Sequence, residues 1–388
     1  MRSVFAGYRP SLMITAIIVA LVGIGGTVAV VIAAAQAVGA TQAQTASWIA
    51  GLGLGITINS SLLSFYFKKP VTAAWSSPGA AVIAATSGIS LPEAVGAFLF
   101  CAALLMLTAL IRPLRRLVSA IPMPLANALL AGVLFGFVVR VFPTLSSNPN
   151  LVVPLLTLFI LIRLWSPLWA TLLTLAAGTI LAFVLGQAAE VPTFAFTQLQ
   201  FVRPELNGAV VLSLGLPLYL VTMAGQNLPG LAALRAAGYE VDARPILGLT
   251  GLTSAAVAFI GCHTQNLAAV TAALCTSPDA HPDPHKRWMV GPSHALVYFL
   301  IALCAGWLVA LFAALPPELL ITVAAVGLSG ALIAALAGAL GDEAMRFPAL
   351  VTFLVAQSTF TLWGLGGAFW GLALGLLLWG LSKAKSSR

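Results

Sequence analysis

Apolar runs about 20 residues long recur along nearly the whole chain, separated by short stretches that hold almost all of the charged side chains. A helix rising ~1.5 Å per residue needs about that length to cross the ~30 Å hydrocarbon core of a bilayer. Runs at roughly residues 12–37, 48–67, 91–111, 118–140, 167–187, 209–234, 293–314 and 318–340 meet the requirement, and each is predicted to be a membrane-spanning helix. The first run, Leu12 to Ala37, is longer than the core of a signal peptide and is not followed by a small-residue cleavage site, so no cleavage is expected.

Composition agrees with the pattern. Of 388 residues, 60% are hydrophobic and 7% charged, and the mean hydropathy is +1.05, which excludes the soluble classes. The formal charge of +8 would suggest nucleic-acid binding in a soluble chain. Here the placement of the basic residues explains it, and no nucleic-acid partner is expected. They cluster as Arg2 and Arg9; Lys68 and Lys69; Arg112, Arg115 and Arg116; Arg163; Arg235 and Arg244; Lys286 and Arg287; Arg346; and Lys383, Lys385 and Arg388, leaving only Arg140 and Arg203. Basic residues accumulate on the cytoplasmic side of a membrane. Successive clusters must then be separated by an even number of crossings, with both termini cytoplasmic.

Parity resolves the segments that hydropathy leaves ambiguous. Between Lys69 and Arg112 there is one regular helix, so Pro70 to Gly88 must also cross, yet Pro78, Gly79 and the Trp75-Ser76-Ser77 run oppose a continuous helix. An extended piece from Val71 to Ser76 (about 20 Å) and a half-helix from Pro78 to Ser87 (about 15 Å) together span the core. Between Arg244 and Lys286, Pro245 to Ala258 makes one crossing and Phe259 to Ser277 must return, through polar Thr264, Gln265 and Asn266 and then a half-helix from Leu267 to Leu274. Shorter crossings are predicted at 151–162, 347–361 and 363–382. The fold expected is all-α and polytopic, with about 14 transmembrane segments in two inverted seven-span repeats. Spans 3 and 10 are each a short strand plus a half-helix, the pattern of an inverted-repeat secondary transporter.

Non-helical backbone at membrane depth survives only where protein or a water-filled cavity satisfies it, so the two interruptions imply a cavity near the midplane. The amide N–H groups that begin each half-helix, with the helix dipole, suit a carboxylate or another anion. Ser77 is predicted as the cap of the first half-helix, with Pro78 at its first position, and Thr264 as the cap of the second. Ser76, Ser77, Gly79, Thr264, Gln265 and Asn266 are read as the polar end of a substrate site; the plainer reading is capping and helix-helix bonding. Gln226 and Asn227, adjacent amides in mid-span, are placed on the cavity wall. Asn59 with Ser60 and Ser61 fits either role. Trp75 offers a ring face to an aromatic substrate, or simply packs.

All ten acidic residues fall in loops or at span ends, so no carboxylate serves as an intramembrane proton relay. His263 is then the proton-coupling candidate, against a neutral hydrogen-bonded role. A weak-acid substrate could instead carry the proton on its own carboxylate. The four cysteines read as packing residues. Asp279, His281, Asp283 and His285 read as a charged loop, so no metal and no cofactor is expected. Gly51 with Gly55, Gly132 with Gly136, and the Gly367, Gly371, Gly375 ladder let helices approach closely, within the chain or at a homodimer face. No H-E-x-x-H, no G-x-S-x-G and no paired intramembrane aspartates occur, so an enzyme is not expected.

The stretches PVTAAWSSPGAAVIAATSG (70–88), TMAGQNLPGL (222–231) and HTQNLAAVTAALCTSPDAHPD (263–283) resemble the BenE-type benzoate/proton symporter family, and the likeness in length and span order covers essentially the whole chain. The resemblance implies an inner-membrane importer of benzoate or a related aromatic carboxylate, driven by protons through alternating access, with the fold of the uracil and anion transporters. It implies a core domain (1–111 and 209–314, spans 1–4 and 8–11), a gate domain (112–187 and 315–388, spans 5–7 and 12–14, with the cytoplasmic tail) and an outer linker (188–208). Substrate would sit between the half-helices, near Trp75 to Gly79, Gln226, Asn227 and Thr264 to Asn266. A nucleobase or other small-anion permease, or a uniporter on the same fold, is the alternative.

Overall fold

The computed structural model describes residues 7–113, 121–269, 271–358 and 360–386. Arg2, Arg115, Arg116 and Arg388, used above to orient the chain, lie outside them. The first quarter forms α1 (Pro10–Ala37), α2 (Gln42–Phe67), a short strand β1 (Ala73–Trp75), α3 (Ser77–Ala84) and α4 (Leu91–Leu110). Next come α5 (Met123–Val138), α6 (Val141–Ser147), α7 (Pro149–Trp165) and α8 (Pro167–Val184). After a stretch without regular structure, α9 runs from Gly208 to Ala236, followed by α10 (Ala243–Ala258), β2 (Gln265–Leu267) and α11 (Ala272–Thr276). The last part holds α12 (Val290–Ala313), α13 (Pro317–Leu340), α14 (Arg346–Gln357) and α15 (Gly367–Ser386).

Local chemistry accounts for several of these boundaries. Thr41 and Gln44 form a reciprocal capping box at the start of α2, and Ser90 with Glu93 does the same for α4. Proline lies in the first turn of α1, α4, α5, α7, α8 and α13, where its missing N–H costs nothing. Among the described residues, nine helices are long and apolar enough to cross a membrane, and α7 is a shorter apolar one. Their bounds fall within a few residues of the apolar runs, except near the C-terminus. There Thr361–Leu362 and Leu365–Gly366 pair as a hairpin turning through Trp363 and Gly364, both left-handed (φ 54° and 75°), so the final helix begins at Gly367 rather than near 363.

The helices pack in two sets. In one, α12 lies along α2, α10 along α4, and α1 against α3; in the other, α5 contacts α13, α14 and α15, and α7 lies against α8. The Gly367–Gly371–Gly375 ladder is occupied within the chain, because Val355 O, Thr352 O and the Thr352 side chain sit where a Cβ would project. α1 reaches across to α8 and α13, and α3 to α5. Between the sets lies a cavity of about 850 Å³.

Candidate functional site

The two interrupted segments meet at this cavity. β1 and β2 pair antiparallel, with Ala73 opposite Leu267, Ala74 opposite Asn266 and Trp75 opposite Gln265. The pairing extends at both ends, through Ser76 N–H to Thr264 O (3.3 Å) and Ala268 N–H to Thr72 O (3.0 Å). Unsatisfied backbone in hydrocarbon costs several kcal/mol per group, so each broken segment supplies what the other lacks.

The local structure corrects four expectations. Ser76, not Ser77, caps α3: its Oγ accepts from the Gly79 N–H at 3.0 Å, because Ser76 still has the extended backbone of the strand. α3 ends at Ala84, short of Ser87. The second half-helix begins at Ala272 rather than Leu267, and Thr264 caps nothing. Residues 265–267 are drawn into the strand by Ala73–Trp75, which leaves α11 only five residues and no side-chain cap.

Of the sequence-predicted residues, Trp75, Ser77 and Gln226 line the cavity; Ser76, Gly79, Asn227, Thr264, Gln265, Asn266 and His263 stand behind it. Ser76 Oγ pairs with Thr222 Oγ1 (2.9 Å), which pairs with Thr264 Oγ1 (3.1 Å), tying α3, α9 and the second segment together. Asn227 accepts from the Leu267 N–H (3.1 Å), and Gln265 donates to Leu52 O (3.2 Å) over Gly55. Gly79 packs beneath Leu218. Asn266 is fully buried, and its amide has no partner among the described residues. Asn59 bonds Thr253 across α2 and α10 (2.8 Å).

His263 is enclosed. Its Nδ1 accepts from the Trp48 indole N–H at 2.9 Å, and its Nε2 lies 3.0 Å from Ser76 O. An indole only donates and a carbonyl only accepts, so these two partners specify a neutral imidazole with its proton on Nε2. The cavity instead carries a different histidine: His294, with Tyr298 one turn further along α12, lies in its wall. His263 is therefore not the only imidazole near the cavity. A lone histidine four residues before a tyrosine, inside an apolar run, was the available signal. Arg163, Thr27 and Asn127 were likewise missed, because only the tertiary arrangement brings α7, α1 and α5 to one space.

Among the described residues, the cavity wall has one formally charged side chain, Arg163, and no carboxylate. Its aromatic part is Trp75, whose indole N–H donates to Thr27 Oγ1 (2.8 Å) and whose ring meets Tyr298 edge-on at 5.7 Å. Gln226 sits on a π-helical turn of α9, Met223–Asn227, a local widening that recurs at functional sites. Its amide has no protein hydrogen-bond partner among the described residues. At the start of α3, Ser76 takes the Gly79 N–H and the Ala80 N–H, and Pro78 has none, so Ser77 supplies the one first-turn N–H left open.

The family model described as BenE, benzoate membrane transport protein, matches residues 6–381. The benzoate membrane transport protein of Acinetobacter baylyi (strain ATCC 33305 / BD413 / ADP1) is 36% identical over 380 residues, covering 97% of this chain and 96% of that one. Inner membrane protein YdcO of Escherichia coli (strain K12) is 34% identical over 368 residues, 94% of each. Among solved structures, the transmembrane domain of a cyanobacterium bicarbonate transporter, BicA, superposes with a TM-score of 0.60 at 14% identity, covering 96% of each chain. SLC26A9 superposes with a TM-score of 0.66 at 13% identity, covering 100% of this chain and 68% of that one. At such identities the likeness establishes a shared fold.

Proposed function

Because the chain belongs to the BenE family of benzoate membrane transport proteins, we propose that it imports benzoate or a closely related aromatic carboxylate with protons, by alternating access, across the bacterial inner membrane. The observation that carries this reading is the cavity wall, which among the described residues has one positive charge, no negative charge and an aromatic face. A buried anion is stable only where opposite charge or hydrogen-bond donors replace its water. On this reading the Ser77 N–H and hydroxyl and the Gln226 amide receive the carboxylate, and Trp75, Tyr298 and Leu130, which line the same cavity, hold the ring. A cavity of about 850 Å³ is ample for so small a ligand. No covalent chemistry is required of the protein.

Fourteen crossings follow if the two strand-plus-helix segments and the shorter helices α7, α10 and α14 each traverse the bilayer. The core (1–111 and 209–314) then carries Trp75, Ser77 and Gln226, while the gate (112–187 and 315–388) contributes Asn127, Leu130, Arg163 and Gly327 to the opposite wall. Sliding of one set against the other moves the site between the two sides. With Arg163 and both termini cytoplasmic, the cavity opens inward.

The test is uptake of radiolabelled benzoate into proteoliposomes under an inward proton gradient, with unlabelled benzoate, uracil and sulfate as competitors. Accumulation blocked by benzoate alone is the expected result. Transport of uracil or sulfate in its place would assign the chain to the nucleobase or small-anion permeases, and accumulation indifferent to the gradient would make it a uniporter.

A further inference from the structure

The geometry points to His294 as the residue that binds the co-transported proton, a deepening that rests on the proton-coupled carboxylate reading above. His294 lies in the cavity wall, and its Nδ1 is 3.1 Å from Ser60 Oγ. That hydroxyl accepts the Ala73 N–H of β1 at 3.0 Å, and its own hydrogen can turn to His294 Nδ1 or to the carbonyl of the preceding helical turn. Either tautomer of the neutral ring satisfies this contact, and in both Nε2 has no protein partner among the described residues. Where His263 has both nitrogens engaged by protein, His294 has one engaged and one free for the cavity.

The titratable groups around His294 are few. Tyr298 packs against it with ring centres 4.7 Å apart and planes tilted by 51°, Cys275 of α11 bonds Thr72 beside β1, and Arg163 lies elsewhere on the same cavity wall. α1, α5 and α8 contain no titratable side chain, α2 contains only Tyr66 near its end, α9 only Tyr219 and Arg235, and the only one in α13 is Glu318 at its start. With no carboxylate among the described residues of the wall, the imidazole has no fixed anionic partner there. A bound carboxylate becomes that partner. It favours the imidazolium, and by reciprocity the protonated ring favours the carboxylate by the same factor.

The proton balance closes on side chains of this chain. A proton from the outer side adds to the ring nitrogen that carries the lone pair; with both nitrogens protonated, Ser60 Oγ, with two lone pairs, accepts from both Nδ1–H and the Ala73 N–H. The hydroxyl hydrogen then points to the carbonyl of the preceding helical turn, an ordinary arrangement for serine in a helix. On the inner side the carboxylate leaves, the imidazolium loses its counter-charge and one ring proton is released to water. Ser60 is thus a positioning residue, joining the titrating ring to the strand that bears Trp75.

The experiment compares two transport modes of the reconstituted full-length protein: benzoate accumulation driven by an inward proton gradient, and benzoate counterflow at equal pH, which needs no net proton movement. In His294→Gln, accumulation is expected to fall at least about tenfold, the size of an ordinary coupling between two ligands, and counterflow to fall much less. An unaltered ratio of the two modes overturns the assignment. Should His294→Gln be inactive in both, Ser60→Ala decides: a displaced pH profile of accumulation supports the assignment, and an unmoved profile overturns it. If wild-type protein itself accumulates benzoate without regard to the gradient, the proton-coupled reading fails first, and that outcome is visible before any variant is made.

Discussion

The two broken segments occupy corresponding places in the two halves of the chain, yet they do different work. In the first, a strand runs directly into an eight-residue helix, and the junction puts Trp75, Ser77 and Pro78 in the cavity wall. In the second, the strand ends at Leu267 and only five helical residues follow, starting at Ala272. Its polar run from His263 to Asn266 is wholly buried behind the sheet, and Ala268, Ala269 and Thr271 are what reach the cavity. A repeated topology thus supplies two interruptions, while chemistry is divided between them: one side lines the cavity with polar and aromatic groups and the other holds the backbone in register. The cause is steric and local. Ser76 can cap α3 while remaining in the strand, whereas the residues after Leu267 carry no side-chain cap for α11.

This division can be broken by mutation, and the largest effect is expected in the scaffold. His263→Leu removes the acceptor of the Trp48 indole and the donor to Ser76 O. It should lower stability by about 3 kcal/mol, the sum of two buried groups left unpaired, seen as a depressed Tm in detergent. A Tm equal to wild type would show that the second segment is not the scaffold described. Gln226→Leu comes next and should act oppositely: Tm unchanged, with benzoate binding weakened roughly 10- to 100-fold by loss of a donor to a charged group, measured by equilibrium binding to purified protein. Asn227→Ala, one residue on, should instead cost about 1–3 kcal/mol of stability by orphaning the Leu267 N–H. Adjacent amides behaving alike would erase the boundary between wall and scaffold.

The smallest pair sharpens the same line within two residues. Ser76→Ala loses a helix cap and should cost about 1 kcal/mol, whereas Ser77→Ala should leave Tm in place and weaken binding by roughly 3- to 10-fold, one hydrogen bond's worth. Thermal unfolding and binding on the same preparations distinguish them; a destabilising Ser77→Ala with a silent Ser76→Ala would return the cap to the position that sequence reasoning chose.

Much of this was legible before any tertiary contact was known. Long apolar runs specify crossings because the bilayer core has one thickness and no partner for backbone except the helix itself. The same constraint made the interruptions at Pro78–Gly79 and at Gly261–Asn266 conspicuous, and charge parity required each to return the chain. Trp75, Ser77 and Gln226 could be found because polar or aromatic groups beside broken backbone at depth are costly unless used. His294 escaped because its run is unbroken and apolar, and Ser60, its hydrogen-bond partner, is 234 residues away.

What the sequence alone determined, then, is the solvent of each segment, the positions where helices fail and the membership of the BenE family, since these depend on local hydropathy, proline and glycine chemistry and residue identity. Only the tertiary structure decided which polar groups face the cavity and which face protein. That choice depends on strand register and on donors and acceptors hundreds of residues apart, such as Trp48 with His263 and Ser60 with His294, and a linear pattern carries no information about which of two buried imidazoles will find both its nitrogens engaged.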